Sequence, residues 1–145
     1  MKIEILPGLW IGTLNYLENS EFLKDKNIKF LVNCEEDLNF LGKSINYNDD
    51  VRKNMEKYEK LKFSKYLNEI TKLIYNKIKQ EINVIVCCKD NLEKSPTVIL
   101  CYLIKYGKLN LENSLDILKT KYPHIFENGI KYKKIIINFM EEIFK

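Results

Sequence analysis

The chain has 145 residues, of which 46% are hydrophobic and 30% charged. This composition excludes disorder as the main state, because such a chain can bury a core, and the length is typical of one domain over 1–145. The formal net charge of +4 is too weak to indicate a nucleic-acid partner by itself.

Short apolar runs alternate with amphipathic runs along the chain, and sparse Gly and Pro residues separate them. In chain order we predict a hairpin over 3–11, a helix over 19–26, strands over 29–34 and 44–47, a helix over 61–79, a strand over 83–87, and helices over 97–106, 111–121 and 129–144. Strands that alternate with helices predict an α/β fold, with a central, mostly parallel, twisted sheet and helices on both faces.

Two residues give start signals for helices near the middle of the chain. Ser95 precedes Pro96 and an apolar run, which predicts that Ser95 caps a helix with Pro96 in its first turn. Asn110 is predicted to cap the next helix, which runs to Lys121.

The four cysteines are Cys34, Cys87, Cys88 and Cys101, and their spacing matches no zinc pattern. With a single His (His124), we expect no metal and no other cofactor. The charged start and the lack of an 18-residue apolar window predict no signal peptide and no membrane span. We therefore expect reduced thiols in an intracellular, cytoplasmic protein, with Cys34 and Cys101 in the core.

A charged loop joins the apolar strand before Cys88 to the apolar helix after Ser95. Open α/β sheets bind ligands at the carboxyl ends of their strands, and a helix N-terminus favours an anion. Cys88 at this position is expected to have a lowered thiol pKa. Lys94, six residues further on, provides a cation for the same anion. These features predict a phosphate-binding loop with a nucleophilic cysteine.

The segment 87–95 resembles the H-C-x-x-G-x-x-R-S loop of cysteine-based protein phosphatases, especially the small dual-specificity phosphatases. Four other segments, in the same order along the chain, also resemble that family: 6–12, 28–33, 122–125 and 128–129. The resemblance covers nearly the whole chain and implies the protein tyrosine phosphatase-like fold. It also implies phosphoproteins or protein partners as ligands, and it leaves the oligomeric state open.

By this resemblance, Cys88 stands at the nucleophile position and Ser95 at the hydroxyl that assists departure of the thiolate. The general acid is expected at Asp49, with Asp50, Glu56 and Glu59 as alternatives. The resemblance assigns Lys89, Asp90, Asn91, Leu92 and Glu93 to the phosphate-binding loop, and Asn33 and Cys87 to its support. From its position alone, Cys87 also fits core packing or a redox partnership with Cys88.

Several loop positions depart from the family pattern. Cys87 replaces the His, Asn91 the Gly and Lys94 the Arg, while Asp90 and Glu93 add carboxylates to a loop meant for a dianion. Asn91 is the mildest change because Asn tolerates positive φ. Lys94 is the most serious, since a lysine ammonium is a point charge without the bidentate geometry of a guanidinium.

These departures favour a pseudophosphatase, meaning a phosphatase fold that acts mainly by binding. A slower but working phosphatase is the first alternative, since only one of the 24 basic residues is Arg and Lys is common everywhere in the chain. A second alternative keeps the fold and changes the substrate to RNA 5′ phosphates or phosphoinositides.

Overall fold

The computed structural model describes residues 2–13, 20–34, 40–44, 63–88 and 93–144. The described strands are β1 (Lys2–Leu6), β2 (Leu9–Thr13), β3 (Ile28–Cys34), β4 (Phe40–Ser44) and β5 (Asn83–Cys88). The described helices are α1 (Ser20–Asp25), α2 (Phe63–Lys79), α3 (Lys94–Tyr106), α4 (Leu111–Lys121) and α5 (Lys133–Ile143).

The strands form one sheet in the order β1-β2-β5-β3-β4. The central strand β5 pairs in parallel with β2 and with β3, whereas the edge strands β1 and β4 pair antiparallel. The predicted α/β fold is thus confirmed, with parallel pairing at the centre and a mixed sheet overall. The antiparallel β1–β2 pair follows from the two-residue connection at Pro7-Gly8, which is too short for a parallel crossover.

The turn of this hairpin packs against the start of β5. Gly8 has a φ of 84°, which favours glycine, and its carbonyl accepts a 2.8 Å hydrogen bond from the Val84 N–H. A Cβ at Gly8 would lie 2.9 Å from Oδ1 of Asn83. The close approach of the two backbones therefore fixes where β5 enters the sheet.

The sheet buries a core on each face because side chains alternate along its strands. In β5, Val84 and Val86 join the larger core with residues of α2 to α5, while Ile85 and Cys87 join a smaller core with α1. Helix α3 contacts α2, α4 and α5 and is buried from its first residue through Ile104. The helix that follows β5 is therefore the central helix of the larger face.

Two predicted elements start four residues away from their starts in the structure. The strand predicted over 44–47 shares only Ser44 with β4, and positions 45–47 lie outside the described residues. The helix predicted from Gly129 begins at Lys133 instead, because Gly129 is in a turn with a φ of 95°. The hairpin, the strand ending at Cys34 and the helix capped by Asn110 are confirmed.

Candidate functional site

The candidate site lies at the carboxyl end of β5. The backbone of Cys88, the last residue of this strand, is in register with Thr13 of β2 and with Cys34 of β3. Both neighbours are parallel to β5, so three carboxyl ends meet at this edge of the sheet. Such an edge is where open α/β sheets bind their ligands.

Helix α3 begins at Lys94, one residue before the predicted cap. The N-cap residue is Glu93, whose backbone is already helical (φ −101°, ψ −43°) and whose side chain makes no capping hydrogen bond. Ser95 is therefore inside the first turn, and the prediction that it caps the helix is wrong. The helix extends back past Ser95 because Glu93 adopts helical dihedrals, and the Thr97 hydroxyl donates a 2.7 Å hydrogen bond to the Glu93 carbonyl.

Lys94 is 7% exposed at the first position of α3. Lysine is seldom buried unless it is paired, and the backbone at a helix N-terminus carries partial positive charge. An ammonium group buried there is costly without an anion beside it. The position therefore suits an anionic neighbour, whether that anion comes from the chain or from a ligand.

Ser95 is fully buried beside Lys94 in the same first turn. By the family resemblance it is the hydroxyl that assists the thiolate, and this role stays a prediction. Thr97, two residues further on, is also fully buried. The first turn of α3 thus contains an ammonium and two hydroxyls, and an apolar run over 98–101 follows it.

The carboxylate of Glu93 pairs with a cation that lies far away in the sequence. Its Oε2 is 3.2 Å from Nζ of Lys131, in the turn before α5, and both side chains are partly exposed. The sequence left open whether this carboxylate opposes a bound dianion, and the ion pair neutralises its charge. Nothing in the sequence indicated Lys131, which is 38 positions away.

Cys87 is fully buried on the α1 face of the sheet. It packs in the smaller core with Phe22, Leu23 and Ile85, and Trp10 lies at the border of that core. Adjacent side chains in a strand point to opposite faces, which disfavours a bond between Cys87 and its neighbour in the sequence. Core packing thus accounts for Cys87, and its support of the loop stays a prediction.

Cys34 and Cys101 are buried, as predicted. Burial raises the pKa of the Cys101 thiol far above its ordinary value of 9.0, because a thiolate in an apolar interior loses its hydration. Cys101 therefore remains a protonated core thiol and is a poor nucleophile. His124 is exposed, and its Nδ1 is 3.8 Å from the Glu127 carboxylate.

Several predicted site residues have side chains that the structure does not describe. Lys89, Asp90, Asn91, Leu92 and Asp49, as well as the side chains of Cys88 and Asn33, lie outside the described residues. The backbone of Asn33 is in register with Cys87 across the β3–β5 pair. Among the described residues, the candidate site therefore consists of the strand end at Cys88 and the helix start at Lys94 and Ser95.

The described part of the chain contains no group of three His, Cys, Asp or Glu side chains that could hold a metal ion. None of the described helices is both long enough and apolar enough to cross a membrane.

Comparison with known proteins identifies the family. Residues 9–142 match the model of the dual specificity phosphatase catalytic domain. The chain belongs to this family, as the loop and the four other segments suggested.

Two curated relatives and one solved structure illustrate the similarity. The Dictyostelium discoideum MAP kinase phosphatase with leucine-rich repeats protein 3 is 24% identical over 147 residues, which cover 97% of this chain and 16% of that protein. Human dual specificity protein phosphatase 9 is 26% identical over 134 residues, which cover 87% of this chain and 33% of that protein. This chain therefore spans a third or less of the length of either relative.

The fold is similar to that of a leucine rich repeat and phosphatase domain containing protein from Entamoeba histolytica. The TM-score is 0.72 at 12% identity, and the match covers 97% of this chain and 91% of that one. At this identity the similarity concerns the fold alone, and it agrees with the α/β arrangement described above.

Proposed function

We propose that this domain binds phosphorylated protein segments at the end of β5 and hydrolyses them far more slowly than relatives that carry Arg in the loop. The observation that carries the proposal is Lys94, 7% exposed at the first position of α3. A buried ammonium at a helix N-terminus suits a tightly held oxyanion. The loop thus keeps a cation for binding although the Arg of the family pattern is absent.

Lys in place of Arg is expected to lower turnover much more than it lowers binding. A planar guanidinium donates two parallel hydrogen bonds to two phosphate oxygens, whereas an ammonium interacts with them as a point charge. The charge is sufficient to hold a phosphate in the ground state. The transition state needs preorganised donors on the equatorial oxygens, and one such donor is typically worth about 2.7–4 kcal/mol. We therefore expect turnover to be lower by about two to three orders of magnitude.

The other loop residues have roles that follow from the family resemblance. Any residual turnover proceeds by attack of the Cys88 thiolate on phosphorus, with Asp49 protonating the leaving oxygen. Water then hydrolyses the cysteinyl phosphate, and Ser95 assists departure of the thiolate. The ion pair between Glu93 and Lys131 supports this role for the loop, because it neutralises a carboxylate that would otherwise oppose the bound dianion.

A phosphoprotein ligand agrees with what the relatives are named for. One is a MAP kinase phosphatase and the other a dual specificity protein phosphatase. Both names describe proteins that act on phosphorylated proteins. For this chain the class of ligand is therefore proposed as a phosphorylated protein segment, in preference to an RNA end or a phosphoinositide.

Binding is tested first with a fluorescein-labelled phosphotyrosine peptide and fluorescence polarisation. The wild type is expected to bind the phosphorylated peptide at least tenfold more tightly than its unphosphorylated form. Lys94→Gln is expected to lose this preference, and the exposed Lys108→Gln serves as the matched control that keeps it. Equal affinity of the wild type for both peptides would contradict the proposal.

Turnover is tested with an aryl phosphate and three proteins: the wild type, Cys88→Ser and Lys94→Arg. We expect little turnover in the wild type and a Cys88-dependent increase in Lys94→Arg. Wild-type turnover as fast as that of Arg-containing relatives, abolished in Cys88→Ser, would instead establish an ordinary phosphatase.

A further inference from the structure

A group of tyrosines and lysines lies between the C-terminal half of α2 and the C-terminal end of α3. We define the tyrosine–lysine patch as Lys72, Tyr75 and Lys79 of α2 together with Lys105 and Tyr106 of α3. The rings of Tyr75 and Tyr106 stack with their centroids 4.3 Å apart and an angle of 10° between their planes. Tyr75 is 36% exposed. The patch is therefore a surface feature with a fixed aromatic centre.

Lysine ammonium groups lie over both stacked rings. Nζ of Lys79 is 5.8 Å from the ring centroid of Tyr75, and Nζ of Lys105 is 5.1 Å from that of Tyr106. The Lys105 ammonium also donates a 2.5 Å hydrogen bond to Oδ1 of Asn68. These contacts hold the cations in place, which reduces the side-chain entropy lost when a ligand binds.

The lysines of the patch concentrate positive charge. Partial burial and then the nearby Lys72 lower the pKa of Lys105, so the two ammonium groups are close enough to repel each other. Among the described residues, no carboxylate forms an ion pair with Lys72, Lys79 or Lys105. Lysines held close together and not ion-paired with a described carboxylate make the surface complementary to an acidic ligand.

We propose that the tyrosine–lysine patch docks an acidic segment of a protein partner, in which Asp and Glu carboxylates contact the lysines. We choose this occupant because its negative carboxylates complement the positive lysines of the patch. A nucleic acid fits less well, because single strands bind by stacking their bases on open aromatic faces. Here the ring faces are occupied by the other tyrosine and by lysine ammonium groups.

The patch and the candidate site lie at opposite ends of α3. The helix has 13 residues, which corresponds to about 20 Å at about 1.5 Å per residue. An extended peptide covers this distance with about six residues at about 3.3 Å each. If a partner occupies both sites, its acidic segment lies at least about six residues from its phosphorylated residue. This expectation rests on the proposed function, which places the phosphorylated residue at the start of α3.

The test uses a fluorescein-labelled deca-glutamate peptide without any phosphate, measured by fluorescence polarisation at low and at physiological salt. The triple variant Lys72→Gln, Lys79→Gln, Lys105→Gln is compared with a control triple of the same net charge, Lys24→Gln, Lys29→Gln, Lys119→Gln. We expect the patch triple to bind at least tenfold more weakly than the wild type and the control triple to change affinity less than twofold. The single variant Lys79→Gln, at an exposed position, keeps the test valid should the triple variant fail to fold. We expect it to weaken binding at least threefold.

Three outcomes would overturn the docking proposal. Equal weakening by the control triple means that only net charge matters. Tighter binding of a single-stranded RNA than of the peptide means that the patch serves nucleic acid. A wild-type dimer that Tyr75→Ala dissociates, seen by sedimentation, means that a second copy occupies the patch. The preference for the phosphorylated over the unphosphorylated peptide is also measured on the patch triple and is expected to persist, so this proposal and the proposed function fail independently.

Discussion

The N-termini of α3 and α4 are built in opposite ways. Before α4, Asn110 has an extended backbone (φ −78°, ψ 173°), and its side chain accepts a 2.8 Å hydrogen bond from the Asn113 N–H. Before α3, the backbone of Glu93 is helical and its side chain makes no capping hydrogen bond, while its carboxylate pairs with Lys131. Helix α3 therefore begins without a side-chain cap from its N-cap residue, as does α5, whose N-cap residue is Tyr132.

The starts of α3 and α4 differ in burial as well as in capping. The start of α4 satisfies a backbone N–H with the neighbouring side chain and lies on the surface, so its role is stability. The start of α3 buries Lys94 and Ser95 at the carboxyl edge of parallel strands. A buried ammonium and a buried hydroxyl at a helix N-terminus on this edge fit the phosphate-binding loop that we propose there.

The largest expected effect concerns a ligand at α3. Tungstate, a tetrahedral oxyanion, is expected to stabilise the wild type by about 2.7 kcal/mol at a hundredfold excess over its Kd. Lys94→Gln is expected to lose most of this stabilisation. Lys108→Gln, two residues before the cap of α4, is the control and keeps it. Thermal unfolding measures the effect, and a full shift in Lys94→Gln would remove the distinction between the two helix starts.

The second effect tests whether α3 stays packed when no ligand is bound. Burial raises the pKa of the Cys101 thiol in the middle of this helix. Above the ordinary pKa of 9.0, the unfolded chain loses a proton that the folded chain keeps. The stability that depends on the protonated Cys101 thiol is therefore fully present below that pH. It is lost as the pH rises further, by up to about 1.4 kcal/mol per pH unit.

Urea unfolding of the wild type and of Cys101→Val at pH 8, 9 and 10 measures this contribution. The wild type is expected to lose more stability than the variant over this range. The same pH dependence in both proteins would mean that the helix opens around Cys101.

A smaller effect is expected at the start of α4. Asn110→Ala removes the capping acceptor and is expected to lower the free energy of unfolding by about 1 kcal/mol. Asn113→Ala keeps the backbone N–H that donates this bond, so it serves as the control and changes stability far less. Phosphopeptide binding stays unaffected in both variants. A loss of peptide binding in Asn110→Ala would mean that the two helix starts are coupled.

The smallest effect concerns the ion pair between Glu93 and Lys131. Both side chains are partly exposed, so the coupling free energy is expected to be below about 1 kcal/mol and to fall with added salt. A double-mutant cycle with Glu93→Gln and Lys131→Gln measures it. A coupling that is larger and independent of salt would mean that this pair fixes the start of α3 more firmly than a surface contact does.

The sequence predicted the elements that depend on local patterns. The hairpin at Pro7-Gly8 was correct because these residues impose a turn, and the cap at Asn110 was correct because its partner is three residues away. The cap at Ser95 was wrong because the backbone before it is already helical. The strand predicted over 44–47 was placed to start too late, since Gly42 weakens the local strand pattern and pairing with β3 determines where β4 begins.

Contacts between residues that are distant in the chain could not be predicted from the sequence. The Glu93–Lys131 pair and the Tyr75–Tyr106 stack connect residues more than 30 positions apart. The hydrophobic periodicity of the sequence does not predict such contacts, because they depend on how the helices pack against one another. The residue types of the candidate site were nevertheless visible, since the loop motif lies in one continuous stretch.

The central position of β5 has a consequence for how the chain folds during synthesis. Its partners β2 and β3 are made first, yet they cannot complete the sheet until residue 88 has left the ribosome. Until then, the inner edges of both strands present unpaired backbone groups that favour aggregation. The strand that ends at Cys88 thus closes the sheet, and we expect nascent chains shorter than this point to depend on chaperones.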